Sequence, residues 1–283
     1  MKDFKMTDGT LYRLAAFAEG NSGGNPAGVW VGAALPESDT MQRIAAEVGF
    51  SETAFVAPAT GKQRQVRYFS PQAEVSFCGH ATIATGAVLG RADGEGVYQL
   101  TTAVGEVPVT VQARNGRTEV SLVSVEPRYE PVSSTLLSEA LAILGWQEEE
   151  LDSSIAPAKA YAGAWHLVLA VAQSSRLAAL DYDFEQLKAL MLRENLTTLQ
   201  LVWREREDLF HSRNPFPVGG VMEDPATGAA AAALGGYLRA AKLISAPTTF
   251  SIRQGEAMGR ASLLSVDVPV TGGIVVSGSV VDI

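Results

Sequence analysis

Two segments of this chain carry a side-chain pattern that leaves little choice of fold. Gly79-His80-Ala81-Thr82-Ile83-Ala84-Thr85-Gly86-Ala87-Val88-Leu89 and Gly228-Ala229-Ala230-Ala231-Ala232-Ala233-Leu234, the latter continuing into Gly235-Gly236-Tyr237-Leu238, read as helices of small and aliphatic residues. A helix that is apolar around its whole circumference has no face to give to water, so other elements must enclose it. A polar, proline-containing stretch with an acid precedes each: Phe69-Ser70-Pro71-Gln72-Ala73-Glu74 before the first, Ser212-Arg213-Asn214-Pro215 and Glu223-Asp224-Pro225 before the second. The repetition implies two related domains, each with a buried helix whose start faces the other's across a cleft.

Asp224 and Pro225 ahead of the alanine run form a helix-start signal, the acid capping loose N–H groups and the proline sitting where no N–H is needed. Such a terminus also attracts anions, and Gly228 with the alanines after it lets a ligand approach the backbone. These residues alone leave open whether the segment is an anion site or only a capped, buried helix.

A length of 283 residues suits two domains. The rest of the chain supplies strands to do the enclosing. Strands are expected at Leu11 to Phe17, Ala27 to Val31, Ser51 to Val56, Gln65 to Phe69, Val97 to Leu100, Val107 to Gln112 and Thr118 to Leu122, with Asn115-Gly116 as a hairpin turn. Glu37 to Val48 has helical spacing at Met41, Ile44, Ala45 and Val48 and is stopped by Gly49. A stretch with two prolines, Glu126 to Pro131, marks the boundary between domains 1–125 and 126–283. Beyond it come helices at Ser134 to Leu144 and Asp183 to Arg193, and strands at Ala164 to Val171, Leu199 to Arg204 and Leu209 to His211. Thr248 to Arg253, Ala261 to Val270 and Gly273 to Val281 finish the second domain. The expected class is α+β, with mostly antiparallel strands forming a sheet or barrel around a central helix in each domain. A nucleotide-binding doubly wound sheet is disfavoured, since no GxGxxG follows a strand.

A net charge of −9 argues against nucleic-acid and anionic-membrane partners, which need clustered Lys and Arg. A small anionic substrate remains compatible, because helix termini and local Arg can hold it. Cys78 is the single cysteine, so no intrachain disulfide or multi-cysteine metal site forms. The three histidines, His80, His166 and His211, lack a metalloprotease-type spacing, and no catalytic metal or other cofactor is expected. Charges at Lys2, Asp3, Lys5, Asp8, Arg13 and Glu19 rule out a signal-peptide core, and the apolar run from Ala164 to Ala172 is too short to span a bilayer. The expected setting is cytoplasmic.

Glu52, His80 and Asp224 fall beside the helix starts or at an element edge and make an acid–base set. Partial burial of a carboxylate favours its protonated form, which a proton shuttle at neutral pH needs; Glu52 is the candidate. His80 just inside a helix start is steered toward the neutral imidazole, though a structural hydrogen-bonding histidine fits the stretch as well. Cys78 is two residues from His80, a spacing that supports a thiol–imidazole pair only in a tight turn; a lone cysteine also serves as core filler.

Five segments in order then complete a pattern: Gly24-Asn25-Pro26-Ala27-Gly28-Val29; Ser51-Glu52-Thr53-Ala54-Phe55; Phe69-Ser70-Pro71 with Glu74-Val75 and Cys78-Gly79-His80-Ala81-Thr82; Gly220-Val221 with Glu223-Asp224-Pro225-Ala226-Thr227-Gly228; and Gln254-Gly255 with Met258-Gly259-Arg260. Together they resemble the PhzF-like isomerase family of phenazine biosynthesis, over nearly the whole chain. The resemblance implies a diaminopimelate epimerase-like fold of two pseudo-symmetric domains, an active site between them, and a homodimer. It places the catalytic acid–base glutamate on Glu52, the active-site histidine on His80 and the active-site aspartate on Asp224. It sets backbone donors at Gly79 and Gly228, and substrate contacts around Asn25, Cys78, Thr227 and Ala229. In the phenazine enzyme a substrate-contacting serine follows the second glycine where this chain has Ala229, a departure that bears on whether a dihydro-hydroxyanthranilate is used. The related epimerases use two cysteines, so the single Cys78 excludes a two-thiol racemase. The implied activity is cofactor-independent proton transfer between carbons of a small carboxylate-bearing substrate. Epimerisation of an amino acid or related acid, or ligand binding without catalysis, are the alternatives.

Overall fold

The computed structural model describes residues 4–6, 9–114 and 116–283. The chain divides into two compact units, Met1–Val123 with Ser277–Ile283, and Ser124–Val276. The division falls at 123/124 where the prolines pointed to 125/126, and the last seven residues, expected in the second domain, belong to the first.

The first unit runs β1 (Phe4–Met6), β2 (Gly9–Ala16), β3 (Asn25–Gly32), α1 (Ser38–Val48), β4 (Glu52–Pro58), β5 (Gln63–Phe69), β6 (Glu74–Val75), α2 (Gly79–Asp93), β7 (Gly96–Thr102), β8 (Gly105–Arg114) and β9 (Arg117–Val123). Most neighbours are antiparallel hairpins, but β3 pairs β4 in parallel across α1, and β5 pairs β7 in parallel across α2. Helix α1 presents Met41, Ile44 and Ala45 to Leu11, Trp30, Phe55 and Phe69 on one face of the sheet, and stops at Gly49 in the left-handed conformation (φ 70°). Helix α2 is buried from His80 to Leu89 and packs against β2, β3, β4, β8 and β9. Gly86 permits that approach: a Cβ there would lie 2.5 Å from Val120 Cγ1 and 2.9 Å from Val109 Cγ1. The β8–β9 hairpin has Arg114 opposite Arg117 with Gly116 at φ 77°, while Asn115 lies outside the described residues.

The second unit runs β10 (Arg128–Pro131), α3 (Ser134–Leu144), β11 (Ala158–Tyr161), β12 (Trp165–Val171), α4 (Ser174–Ala178), α5 (Phe184–Arg193), β13 (Thr198–Arg206), β14 (Leu209–Arg213), β15 (Pro215–Phe216), β16 (Val221–Glu223), α6 (Gly228–Ala240), β17 (Thr248–Gln254) and β18 (Ser262–Val268). Its connections repeat those of the first: β12 pairs β13 in parallel across α4 and α5, and β14 pairs β17 in parallel across α6. Helices α3 and α5 cover Leu167, Leu169, Leu199 and Leu201 on one face of the sheet, while the alternate residues lie on the face that receives α6. Helix α6 is buried from Ala230 to Leu238.

The final strand, β19 (Val275–Asp282), returns to the first unit, where Val280, Val281 and Asp282 pair with Ala16, Ala15 and Leu14 of β2. It also pairs with β9, so β2, β3, β4, β5, β7, β8, β9 and β19 close into an eight-stranded barrel around α2. The fold is the expected α+β repeat, with the addition of the four parallel pairings, each of which needs a helical crossover.

Candidate active site

Helix α2 starts at Cys78, whose extended backbone makes it the N-cap without a side-chain cap hydrogen bond. His80 is therefore inside the first turn, buried at 8% exposure, where strand β4 begins with Glu52. His80 Nε2 is 3.5 Å from Glu52 Oε2 and 3.3 Å from Ser51 Oγ. Its Nδ1 is 3.3 Å from Cys78 Sγ, which also lies 3.9 Å from Nε2. The helix start thus makes the tight turn that brings residues 78 and 80 together, and the imidazole is in reach of both a carboxylate and a thiol. Such a chain can pass a proton from one group to the next without large motion.

Strand register adds Asn25. Ala27 of β3 is opposite Glu52, and Asn25, two residues earlier, shares its face and is 1% exposed. Gly79 opens the helix, and a Cβ placed on it would meet nothing within 4 Å. The backbone of the first turn is accordingly open to a ligand.

Asp224 lies in the second unit, and the structure corrects its predicted capping role. The N-cap of α6 is Thr227, with no side-chain cap hydrogen bond, and the helix begins at Gly228 rather than at Pro225. Asp224 Oδ2 instead accepts a hydrogen bond from Thr227 Oγ1 at 2.6 Å. Gln254 ties this turn together: its Nε2 donates to Asp224 O (2.6 Å) and Thr227 Oγ1 (3.0 Å), and its Oε1 accepts from Thr227 N (3.2 Å) and Ser212 Oγ (3.3 Å). Gln254 was not among the predicted site residues, although Gln254-Gly255 is one of the five segments that carry the resemblance. Glu223 is committed to Arg213 of β14 through paired hydrogen bonds. Gly228 and Ala229 are half-buried in the first turn of α6.

Behind this turn is a buried polar group that the sequence did not announce. His166 Nδ1 is 2.8 Å from Thr198 Oγ1, and Asn214 Nδ2 donates to Thr198 Oγ1 (3.3 Å) and Gln200 Oε1 (2.6 Å). Burial alone lowers the His166 pKa to about 3, so the ring is neutral. The main chain of Asn214 accepts from Asp224 N at 3.0 Å, which links the group to the Asp224 turn. A depression of about 380 Å³ elsewhere in this unit is lined by Glu149, Glu150 and Arg176 and holds none of the predicted residues.

Of the predicted residues, the structure brings Glu52, Cys78 and His80 into one cluster and Asp224 and Thr227 into another organised by Gln254. The expectation of no metal site came from sequence spacing. In the fold, ligand-type atoms of Glu52, Cys78 and His80 lie within 4.8 Å of one another.

Residues 14–281 match the phenazine biosynthesis-like protein family. The chain belongs to this family. Its relatives include an uncharacterized isomerase of Deinococcus radiodurans, 32% identical over 92% of this chain and 86% of the relative. The trans-2,3-dihydro-3-hydroxyanthranilate isomerase of Pseudomonas aeruginosa is 31% identical over 88% of this chain and 86% of that one. Among solved structures, the phenazine biosynthesis protein of the PhzF family from Bacillus anthracis superposes with a TM-score of 0.85 over 96% of both chains at 23% identity, a likeness of fold. With relatives in this family that are isomerases, the chain is an isomerase by class. Among the described residues no helix is long and apolar enough to cross a membrane.

Proposed function

We propose that the protein is an isomerase that moves a proton between carbons of a small carboxylate-bearing substrate, with neither metal nor coenzyme taking part in the chemistry. The observation that carries this reading is the 3.5 Å approach of the Glu52 carboxylate to the His80 imidazole at the start of α2. In the proposed reaction Glu52 removes a proton from carbon next to an acid or enamine and returns it to another carbon. His80 orients the carboxylate and exchanges protons with it. The intermediate carries negative charge, and donors in the first turn of α2, at Gly79, are placed to stabilise it; one such donor contributes about 3–4 kcal/mol in comparable sites. Asp224, with Thr227 and Gln254, takes the substrate-orienting part that the family resemblance implies. The homodimer, the small anionic substrate and the cytoplasmic setting belong to the same proposal.

The test is carbon-bound hydrogen exchange in D₂O followed by mass spectrometry, with trans-2,3-dihydro-3-hydroxyanthranilate as the first compound because the 31%-identical relative bears that activity in its name. Solvent deuterium entering together with a shifted double bond supports the reading. Glu52→Gln is expected to cut exchange by roughly 10²–10⁴-fold. If Glu52→Gln binds ligand as the wild type does and the wild type exchanges no candidate's proton, the protein is a binding module instead.

The thiol favours a second reading. Cys78 Sγ, 3.3 Å from His80 Nδ1, is an acid–base group that could serve the opposite face of a carbon acid from Glu52, as an epimerase requires. Deuterium entering with inversion at a single carbon, lost in Cys78→Ala, distinguishes that outcome.

A further inference from the structure

The three side chains around the start of α2 also have the ligand chemistry of a borderline divalent cation. Glu52 offers a carboxylate oxygen, Cys78 a sulfur and His80 a ring nitrogen. His80 Nε2 lies 3.5 Å from Glu52 Oε2 and 3.9 Å from Cys78 Sγ. In a tetrahedral zinc centre with bonds of about 2.0–2.3 Å, neighbouring ligand atoms are roughly 3.5 Å apart, so small rotamer adjustments bring this set onto an ion. The backbone fixes the frame, since Glu52 heads β4 while Cys78 and His80 sit in the first turn of α2.

Charge and access fit as well. A carboxylate and a thiolate together neutralise a doubly charged ion, with the imidazole as a neutral third ligand. The Glu52 side chain keeps 18% of its surface exposed, which lets a water reach the ion as fourth ligand. A thiolate with an imidazole selects zinc-like ions over magnesium and calcium.

We propose that Glu52, Cys78 and His80 form a binding site for a thiolate-accepting divalent cation, with Zn²⁺ the best fit, and that the bound ion silences the enzyme. On binding, the Cys78 thiol gives its proton to solvent and sulfur, nitrogen and oxygen each donate a lone pair to the metal. The ring nitrogen then has no lone pair left to take a proton, and the carboxylate, held on the cation, is turned from the substrate and is a weaker base. The site stands on the geometry alone, whereas its inhibitory effect rests on the proposed reaction.

Cobalt(II) is the probe, because a thiolate bound to it gives a sulfur-to-metal charge-transfer band and Cys78 is the only cysteine in the chain. Titration of Co²⁺ into the full chain, purified without a polyhistidine tag, should saturate at one ion per chain with that band, and Zn²⁺ should displace it. Cys78→Ser should abolish the band, and Glu52→Gln should weaken binding at least about tenfold. Absence of the band at saturating Co²⁺, or a spectrum unchanged in Cys78→Ser, overturns the site. Added Zn²⁺ should stop deuterium exchange; exchange that continues at saturating Zn²⁺ overturns the inhibitory role. If the metal-free chain exchanges nothing, the acid–base reading fails while the cobalt spectrum still decides the site.

Discussion

Gln254 makes four hydrogen bonds from a side chain that is 1% exposed, and removing it takes away its bonds to Thr227 N and to the Asp224 carbonyl. Gln254→Ala is expected to cost about 1–3 kcal/mol in urea denaturation and to lower affinity for any anion bound at the start of α6. His166 supplies a pH prediction. Its folded pKa is depressed from 6.5 to about 3, so the unfolded chain takes up a proton that the folded chain refuses. Stability from this residue is full above pH 6.5 and falls as pH drops toward about 3. His166→Gln, whose amide can still reach Thr198, should flatten that slope in denaturation measured across the window. At this scale the sequence was informative where a residue borders a helix start, as Glu52, His80 and Asp224 do. It was silent on Gln254 and on the His166 group, because their partners arrive through strand register between residues far apart in the chain.

The elements most legible in the sequence were those with a strong period and a marked end. Helix α1 shows its Met41, Ile44 and Ala45 stripe and a glycine stop, and α3 runs over Ser134–Leu144 as expected, with Ser133 supplying the cap in the fold. Strand β10 could not be read that way, since Arg128 to Pro131 is exposed throughout and owes its extension to pairing with β11. Ala158 to Tyr161 alternates only alanine with Lys and Tyr, too weak an apolar signal to announce β11. Parallel pairings were equally hidden, because turn residues report hairpins and not crossovers. Within α2 the close contact at Gly86 makes a prediction of its own. Gly86→Ala should destabilise despite better helix propensity, by about 1–3 kcal/mol, because the added methyl meets two valines. A Gly86→Ala/Val120→Ala double variant should cost less than the two single changes together, which a double-mutant cycle by urea denaturation will measure.

For the whole molecule, the duplication seen in two short stretches proved to extend to every crossover. In both units a hairpin leads through a covering helix into a parallel strand, and a second hairpin leads through the enclosed helix into another. What the local pattern did not show is that β19 pairs β2 and β9 and so closes the first unit, since a strand's period does not name its partner. Removing residues 277–283 should therefore expose the edges of β2 and β9. Limited proteolysis of the truncated chain is expected to cut first within residues 9–123, while the second unit's segments persist longer. The same arrangement imposes an order on biosynthesis. A ribosome making this chain finishes residue 123 long before it reaches 277. At ~5–20 residues per second the nascent first barrel therefore stays unsealed for about eight to thirty seconds, a period in which chaperones have an open seam to hold.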